Sequence, residues 1–202
     1  GYQYNDRCVN TQTTTQDYTT PNSLNTSSQN DENTNTPSGP LEHSTDNSQQ
    51  NVHYFCDSSR ENLVYINANS SLVLRSPNYG RGTYDNNQNC NLVLRSGAYP
   101  LIVSIYFTTF ELEGQQTCYY DSFCFAGFTA CGTWPTGRTY QYILPEYTSS
   151  TFFFKSDGSI TFAGFEIFVT TVRVNDDQEV EVVTGGIGFD SSTINFTTTT
   201  YH

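Results

Sequence analysis

From Val52 to Val172 the chain is cut into short runs of β-branched and aromatic residues, each stopped within a few positions by Gly, Pro, Asn or Ser. VHYFC, LVYINA, NLVLRS, YPLIVSIYFTTFELE, CYYDSFCF, YQYILP, STFFFKSD and ITFAGFEIFVTTV follow one another in this way. Such side chains suit a half-buried pleated surface. No helical period is sustained over the ten or so residues a globular helix needs. Many short strands with turn signals between them build a sandwich or a barrel. The composition agrees, with 15 Tyr, 14 Phe, no Met and a single Trp. The expected fold is therefore an all-β sandwich over 52–173, with an appendage at each end.

Residues 1–51 read as a low-complexity polar arm. The stretch from Asn10 onward is almost devoid of apolar side chains, and alone it could not offset the entropy of ordering. One reading is a flexible, O-glycosylated spacer. The other is an arm that orders against a neighbouring subunit, which the opening GYQYNDRCV favours with its two tyrosines and Cys8. Residues 174–202 form the second appendage. EVEVV alternates, INFTTTTYH reads as another strand, and GGIG is the expected turn between them. That pair would extend the sandwich's own sheet or meet the edge of another chain.

The formal charge is −12, from eight Lys plus Arg against twenty acids, and Lys155 is the only lysine. This surface repels a phosphate backbone, so nucleic acid is not an expected partner; cations and basic partners are favoured. Six cysteines and the sequons at Asn25, Asn69 and Asn195 suggest an oxidising, extracellular compartment. With no initiator Met and no apolar leader, the chain reads as a mature secreted form. No apolar run approaches the 18 or so residues of a membrane span.

The densest stretch is Glu111–Gly132, ELEGQQTCYYDSFCFAGFTACG, which holds three cysteines and places Glu113 and Asp121 on either side of Cys118. A third carboxylate, Asp157, stands in the Ser-Asp-Gly-Ser turn of KSDGSITFAGF. If the three meet, they make an oxygen site for a hard cation such as calcium; otherwise they cap surface turns. Catalytic patterns are missing. His43, His53 and His202 sit in no zinc motif, and no GxSxG elbow is present. Glu113 and Asp121 could imitate a glycosidase pair, and Trp134 with the tyrosines a sugar-stacking surface, although core packing is the commoner use of such rings. A non-enzymatic protein is expected.

Taken in order, SPNYG, YDNNQNC, FTTFELE, CYYD, ACG and FKSDGSITFAGF resemble the CUB domain family over roughly Cys56–Val172. The resemblance implies a jelly-roll-like sandwich of about ten strands. It also implies two disulfides, Cys56–Cys90 and Cys118–Cys131, the second across an interval short enough to suggest a trimmed hairpin. SPNYG stands where the family usually has SPNYP, and Leu92 replaces a common aromatic; neither removes a functional group. Cys124 is not usual in the family. It lies six residues after Cys118 on what reads as the same strand, and a pairing with Cys8 would staple the arm to the sandwich, within one chain or between two. By similarity to the calcium-binding members, Glu113, Asp121 and Asp157 would ligate Ca²⁺ with the Ser159 carbonyl and water, and the ordered loops would hold a partner's basic side chain.

Three functions fit these features. One is a secreted calcium-binding protein that assembles with itself into a filament or matrix through its extensions. Another is a monomeric adhesion module, similar to spermadhesins, that recognises a protein or glycan. The third is a fragment of a larger mosaic protein.

Overall fold

The computed structural model describes residues 51–175, 179–189 and 193–201. Thirteen strands and no helix run through them: β1 (Asn51–Tyr54), β2 (Leu63–Ile66), β3 (Ser71–Arg75), β4 (Asn89–Ser96), β5 (Leu101–Glu111), β6 (Ser122–Phe125), β7 (Phe128–Cys131), β8 (Thr133–Trp134), β9 (Arg138–Leu144), β10 (Ser149–Lys155), β11 (Gly164–Arg173), β12 (Val180–Phe189) and β13 (Thr193–Tyr201). One sheet has six strands, in the order β1-β3-β11-β5-β8 with β9 also on β5; the other has seven, β13-β12-β7-β6-β10-β4-β2.

The alternation seen in the sequence sets which side chains meet between the sheets. Leu101, Val103, Ile105 and Phe107 of β5, with Phe165, Ile167 and Val169 of the neighbouring β11, meet Phe152 and Phe154 of β10 and Phe123 and Phe125 of β6 in one cluster. Phe107 lies 4.9 Å from Trp134 and Phe123 4.9 Å from Phe165, ring centre to ring centre. Each such side chain contributes about 2–3 kcal/mol on burial. Trp134 is thus core, not a sugar platform. A bulge in the β5–β11 register at Glu166/Ile167 lets both Phe107 and Phe110 point inward, although they are an odd number of residues apart.

Two features of local geometry explain motif residues. Gly164 opens β11 at φ +86°, and a Cβ there would stand 1.9 Å from Ser76 Oγ, which accepts the Phe165 N–H at 3.0 Å. The SPNYG and FAGF segments are therefore fitted to each other. β6 and β7 are joined by Ala126 and Gly127 alone, at φ +45° and +76°, the positive-φ pair of a two-residue hairpin. This tight turn accounts for the short interval between Cys118 and Cys131.

Two expectations about local structure are corrected. GGIG is not a turn: it lies within β12, which runs on to Phe189. Gly188 serves close approach instead, since a Cβ there would stand 2.6 Å from Trp134 and 2.7 Å from Phe128. Cys118 does not share a strand with Cys124, because it sits at φ +50° ahead of β6.

The C-terminal strands extend the protein's own sheet. β12 pairs in parallel with β7, and β13 pairs antiparallel with β12. At its start β12 also leaves Val180 and Val182 packed with Ile102, in a second small cluster on the far side of the six-stranded sheet. Among the described residues no helix is long and apolar enough to cross a membrane.

Candidate metal centre

The three acids reach one place from three separate connections. Glu113 follows the end of β5, Asp121 directly precedes β6, and Asp157 follows β10. These ends lie together because Gly164 of β11 pairs with Glu111, and Ser122 pairs with Lys155. One carboxylate oxygen from each lies within 4.8 Å of the others. Asp121 is completely buried, and the other two are half-buried.

Tyr84 organises the cluster, and sequence reasoning did not single it out. Its ring is buried edge-on to Phe154, with centroids 5.5 Å apart. Its hydroxyl donates to Asp121 Oδ2 and accepts the Glu113 N–H at 3.0 Å. One phenol therefore fixes two of the three acidic segments. Asp121 Oδ1 accepts the Asp157 N–H at 2.8 Å, and Asp157 Oδ1 accepts the Ser159 N–H at 2.9 Å. The Asp157 turn is in turn laced to the loop after Tyr84. Ser156 Oγ donates to the Asp85 carbonyl at 2.7 Å, and the Asn87 N–H donates to the Asp157 carbonyl at 2.6 Å. A buried Tyr ahead of an Asn-rich run was the available signal, but its partners are distant in sequence.

The electrostatics are unbalanced. Two unit charges 4.8 Å apart repel by about 3 kcal/mol at an effective dielectric constant of about 20. Burial, and then the Asp121 and Asp157 charges, push the Glu113 pKa above the ordinary carboxylate value. Burial also pushes Asp121 up, with Asp157 adding to it, against the lowering effect of the Tyr84 and Asp157 hydrogen bonds. Burial and the Asp121 hydrogen bond hold the Tyr84 phenol protonated far above its usual range. Among the described residues, buried Glu113 Oε2 has no hydrogen-bond partner. A buried carboxylate oxygen without a donor is costly. This orphaned acceptor beside two further carboxylates is the donor set a hard cation takes.

The rim carries features the sequence did not reveal. Tyr119 and Tyr120 are exposed beside Asp121, and the Lys155 ammonium lies 5.6 Å from the Tyr119 ring centre. Ile160, one residue past Ser159, is exposed at φ +50°. A β-branched residue there costs about 1–2 kcal/mol, and such strain collects at functional loops.

Among the described residues, disulfides join Cys56 to Cys90 and Cys118 to Cys131. The second anchors the residues between Glu113 and Asp121 to the end of β7. Cys124 lies on β6, its Sγ 3.7 Å from Thr129 Oγ1. Cys8 and Asn25 lie outside the described residues. Asn69 is exposed in a turn at φ +65°, and Asn195 lies in β13 opposite Ile187.

Residues 56–168 match the model of the CUB domain family. That is more than half of the chain, and the chain belongs to this family. CUB domains are generally non-catalytic modules of extracellular recognition. Similar solved structures include the full extracellular region of zebrafish Gpr126/Adgrg6, with 30% identity over 59% of this chain and 16% of that one and a TM-score of 0.48. The CUB1-EGF-CUB2 domain of human MASP-1/3 is similar at 21% identity, over 59% of this chain and 51% of that one, with a TM-score of 0.46. The CUB1-EGF-CUB2 domains of rat MASP-1 are similar at 20% identity, over 62% and 53%, with a TM-score of 0.45. The present chain thus spans between 16% and 53% of those chains. No curated protein matches.

Proposed function

We propose that this CUB domain is a secreted, calcium-dependent recognition module for a basic extracellular partner. Glu113, Asp121 and Asp157 would hold the cation, with the Ser159 carbonyl and water completing its shell, and Tyr84 would position the acids. The observation that carries the reading is Glu113 Oε2, buried and without a donor inside a cluster of three carboxylates. A bound cation would neutralise that cluster and order the loops of Tyr119, Tyr120 and Ile160 as a contact rim. The overall charge of −12 suits a Lys- or Arg-bearing partner. The test is binding to an immobilised lysine-rich peptide, with calcium and then with chelator. Retention in calcium that is lost in chelator, and lost in Asp157→Ala, is the expected result. Equal retention in all three conditions would remove the proposal.

Self-assembly into a filament or matrix is the second reading, favoured by β13. This nine-residue strand is an edge of the seven-stranded sheet, paired among the described residues only with β12. An open edge accepts a strand from another copy. Negative-stain imaging of unreduced protein in calcium and in chelator tests it; dispersed small particles in both conditions would end it.

A further inference from the structure

The segment of Glu113 is held from two directions, and one of them lies outside the part of the chain that matches the CUB family. From within that part, the Tyr84 hydroxyl accepts the Glu113 N–H at 3.0 Å. From outside it comes β12, beyond residues 56–168. Gly114, the residue next to Glu113, meets Phe189 at the end of that strand. A Cβ on Gly114 would stand 2.6 Å from the Phe189 ring and 3.2 Å from Gly132 Cα. The Gly114 backbone is not left-handed, so glycine stands there for space rather than for conformation. The same strand end meets the rest of the loop. The Gly188 carbonyl oxygen lies 3.6 Å from Cys118 Sγ, and Phe189 pairs in register with Cys131, the disulfide partner of Cys118.

β12 is joined to the sandwich over a short stretch. Its pairing with β7 covers four residues, 186–189, and two of them are glycines. Glycine within a strand weakens it, having no side chain to pack. Val180, Val182 and Val183 add apolar contacts at the other end of the strand. β13 is carried by β12 in turn. A unit held this way opens locally at a lower free energy than the core. Its closed position is the one that presses Phe189 against Gly114. Calcium ligands sit at about 2.3–2.6 Å from the ion, so a small displacement of Gly114 is felt one residue away at the Glu113 carboxylate.

We infer that Phe189 is a positioning residue for Glu113, and that cation binding and docking of the β12–β13 pair favour each other. The inference rests on the cation-site reading given under Proposed function. With the ring in place, Gly114 is confined between Phe189 and Gly132, and the Glu113 carboxylate is kept beside Asp121 and Asp157. With β12 undocked, the segment keeps the Tyr84 bond and the Leu112 N–H bond to the Gly132 carbonyl at 3.0 Å, but loses its wall. Linkage makes the effect mutual: whatever factor docking adds to cation affinity, the cation adds to docking. β13 is an edge strand carried by β12. Calcium therefore regulates how firmly that edge is presented, through a residue that the family match does not include.

The test uses the whole protein, with calcium as the probe. In a calorimetric titration, Phe189→Ala should weaken calcium affinity about 10-fold or more. Phe189→Leu, which keeps apolar bulk against Gly114, should recover most of that loss. Gly114→Ala forces the ring aside and should weaken binding as well, and the double variant should be no weaker than the worse single one, because both remove one contact. Thr171→Val lowers stability without touching this contact and should leave the affinity unchanged. Amide hydrogen exchange gives a second readout. Calcium should slow exchange at residues 186–189 several-fold more than in β2, at the other edge of the same sheet, and should not do so in Asp157→Ala. That measurement needs no change in β12, so it decides the matter even if Phe189→Ala does not fold. Equal affinity in the wild type and Phe189→Ala, or exchange at 186–189 that bound calcium leaves unchanged, overturns the coupling while the cation site stands. A wild type that binds no calcium overturns both.

Discussion

The two ends of the sandwich differ in the charge of the polar groups they bury. At the end away from the acids, the buried groups are neutral hydroxyls, and those that close turns are paired. Ser96 Oγ donates to the Pro145 carbonyl and accepts the Thr148 N–H at 3.0 Å. Thr148 Oγ1 donates to the Pro145 carbonyl at 2.7 Å. Thr171 Oγ1 donates to the Asn67 carbonyl and accepts the Ser70 N–H at 3.0 Å. These hydroxyls close turns; the hydroxyls of Tyr142 and Ser150, buried at the same end without a partner among the described residues, carry no charge. At the acidic end, three carboxylates share one phenol and a few backbone N–H groups, and Glu113 Oε2 is left without a donor. A network that satisfies itself stabilises the fold. One that lacks positive charge waits for a ligand to supply it.

The contrast can be broken most forcefully by changing the cation. Calcium at about a thousand times its dissociation constant should raise stability by about 4 kcal/mol, read as a melting point several degrees higher than in chelator. Magnesium should do less, because it demands smaller, regular octahedral coordination. A melting point indifferent to calcium would put the two ends in the same class.

Thr171→Val attacks the neutral end. It leaves the Asn67 carbonyl and Ser70 N–H without their partner and should cost about 1–3 kcal/mol in a denaturant melt. Calcium affinity should stay within a factor of two or so, since nothing at the acidic end touches it. A large loss of affinity would show that the ends are coupled.

Tyr84→Phe keeps the ring against Phe154 and removes only the hydroxyl shared by Asp121 and the Glu113 N–H. Loss of such a supporting partner should weaken calcium binding about 10-fold or more. A titration that matches the wild type would reduce Tyr84 to core packing.

The smallest effect concerns pH. Glu113 and Asp121 both have raised pKa values in the fold. Between the ordinary carboxylate range and those raised values, the calcium-free native state holds more protons than the unfolded chain. Its stability therefore falls as pH rises through that window. In calcium the sign reverses, because the cation binds the ionised acids and its contribution fades as pH falls. Paired melts from about pH 4 to about pH 7 should diverge toward neutrality; parallel curves would contradict the pKa assignment.

Much of this was legible in the residues. Strand runs such as STFFFKSD declare themselves through alternation, and β10 buries Phe152 and Phe154 while Phe153 faces out. The three acids were picked out by their places beside Cys118 and in a Ser-Asp-Gly-Ser turn. Features that depend on contacts across the fold were not visible. GGIG looks like a turn in one dimension, and only Trp134 and Phe128 show why a strand needs glycine there. Tyr84 looks like one tyrosine among fifteen until Asp121 and Glu113 are brought to its hydroxyl. The parallel pairing of β12 with β7 joins residues too far apart for any local pattern to announce.

The central claim is that the acidic end is a cation site and not a cluster of surface caps. Calorimetric titration of chelator-stripped protein with calcium, beside Asp157→Ala, tests it most directly. The account predicts one saturable site in the wild type and an affinity at least about 100-fold weaker in the variant, beyond what loss of a supporting partner would produce. No heat of binding in the wild type, or equal affinity in the two proteins, would contradict it.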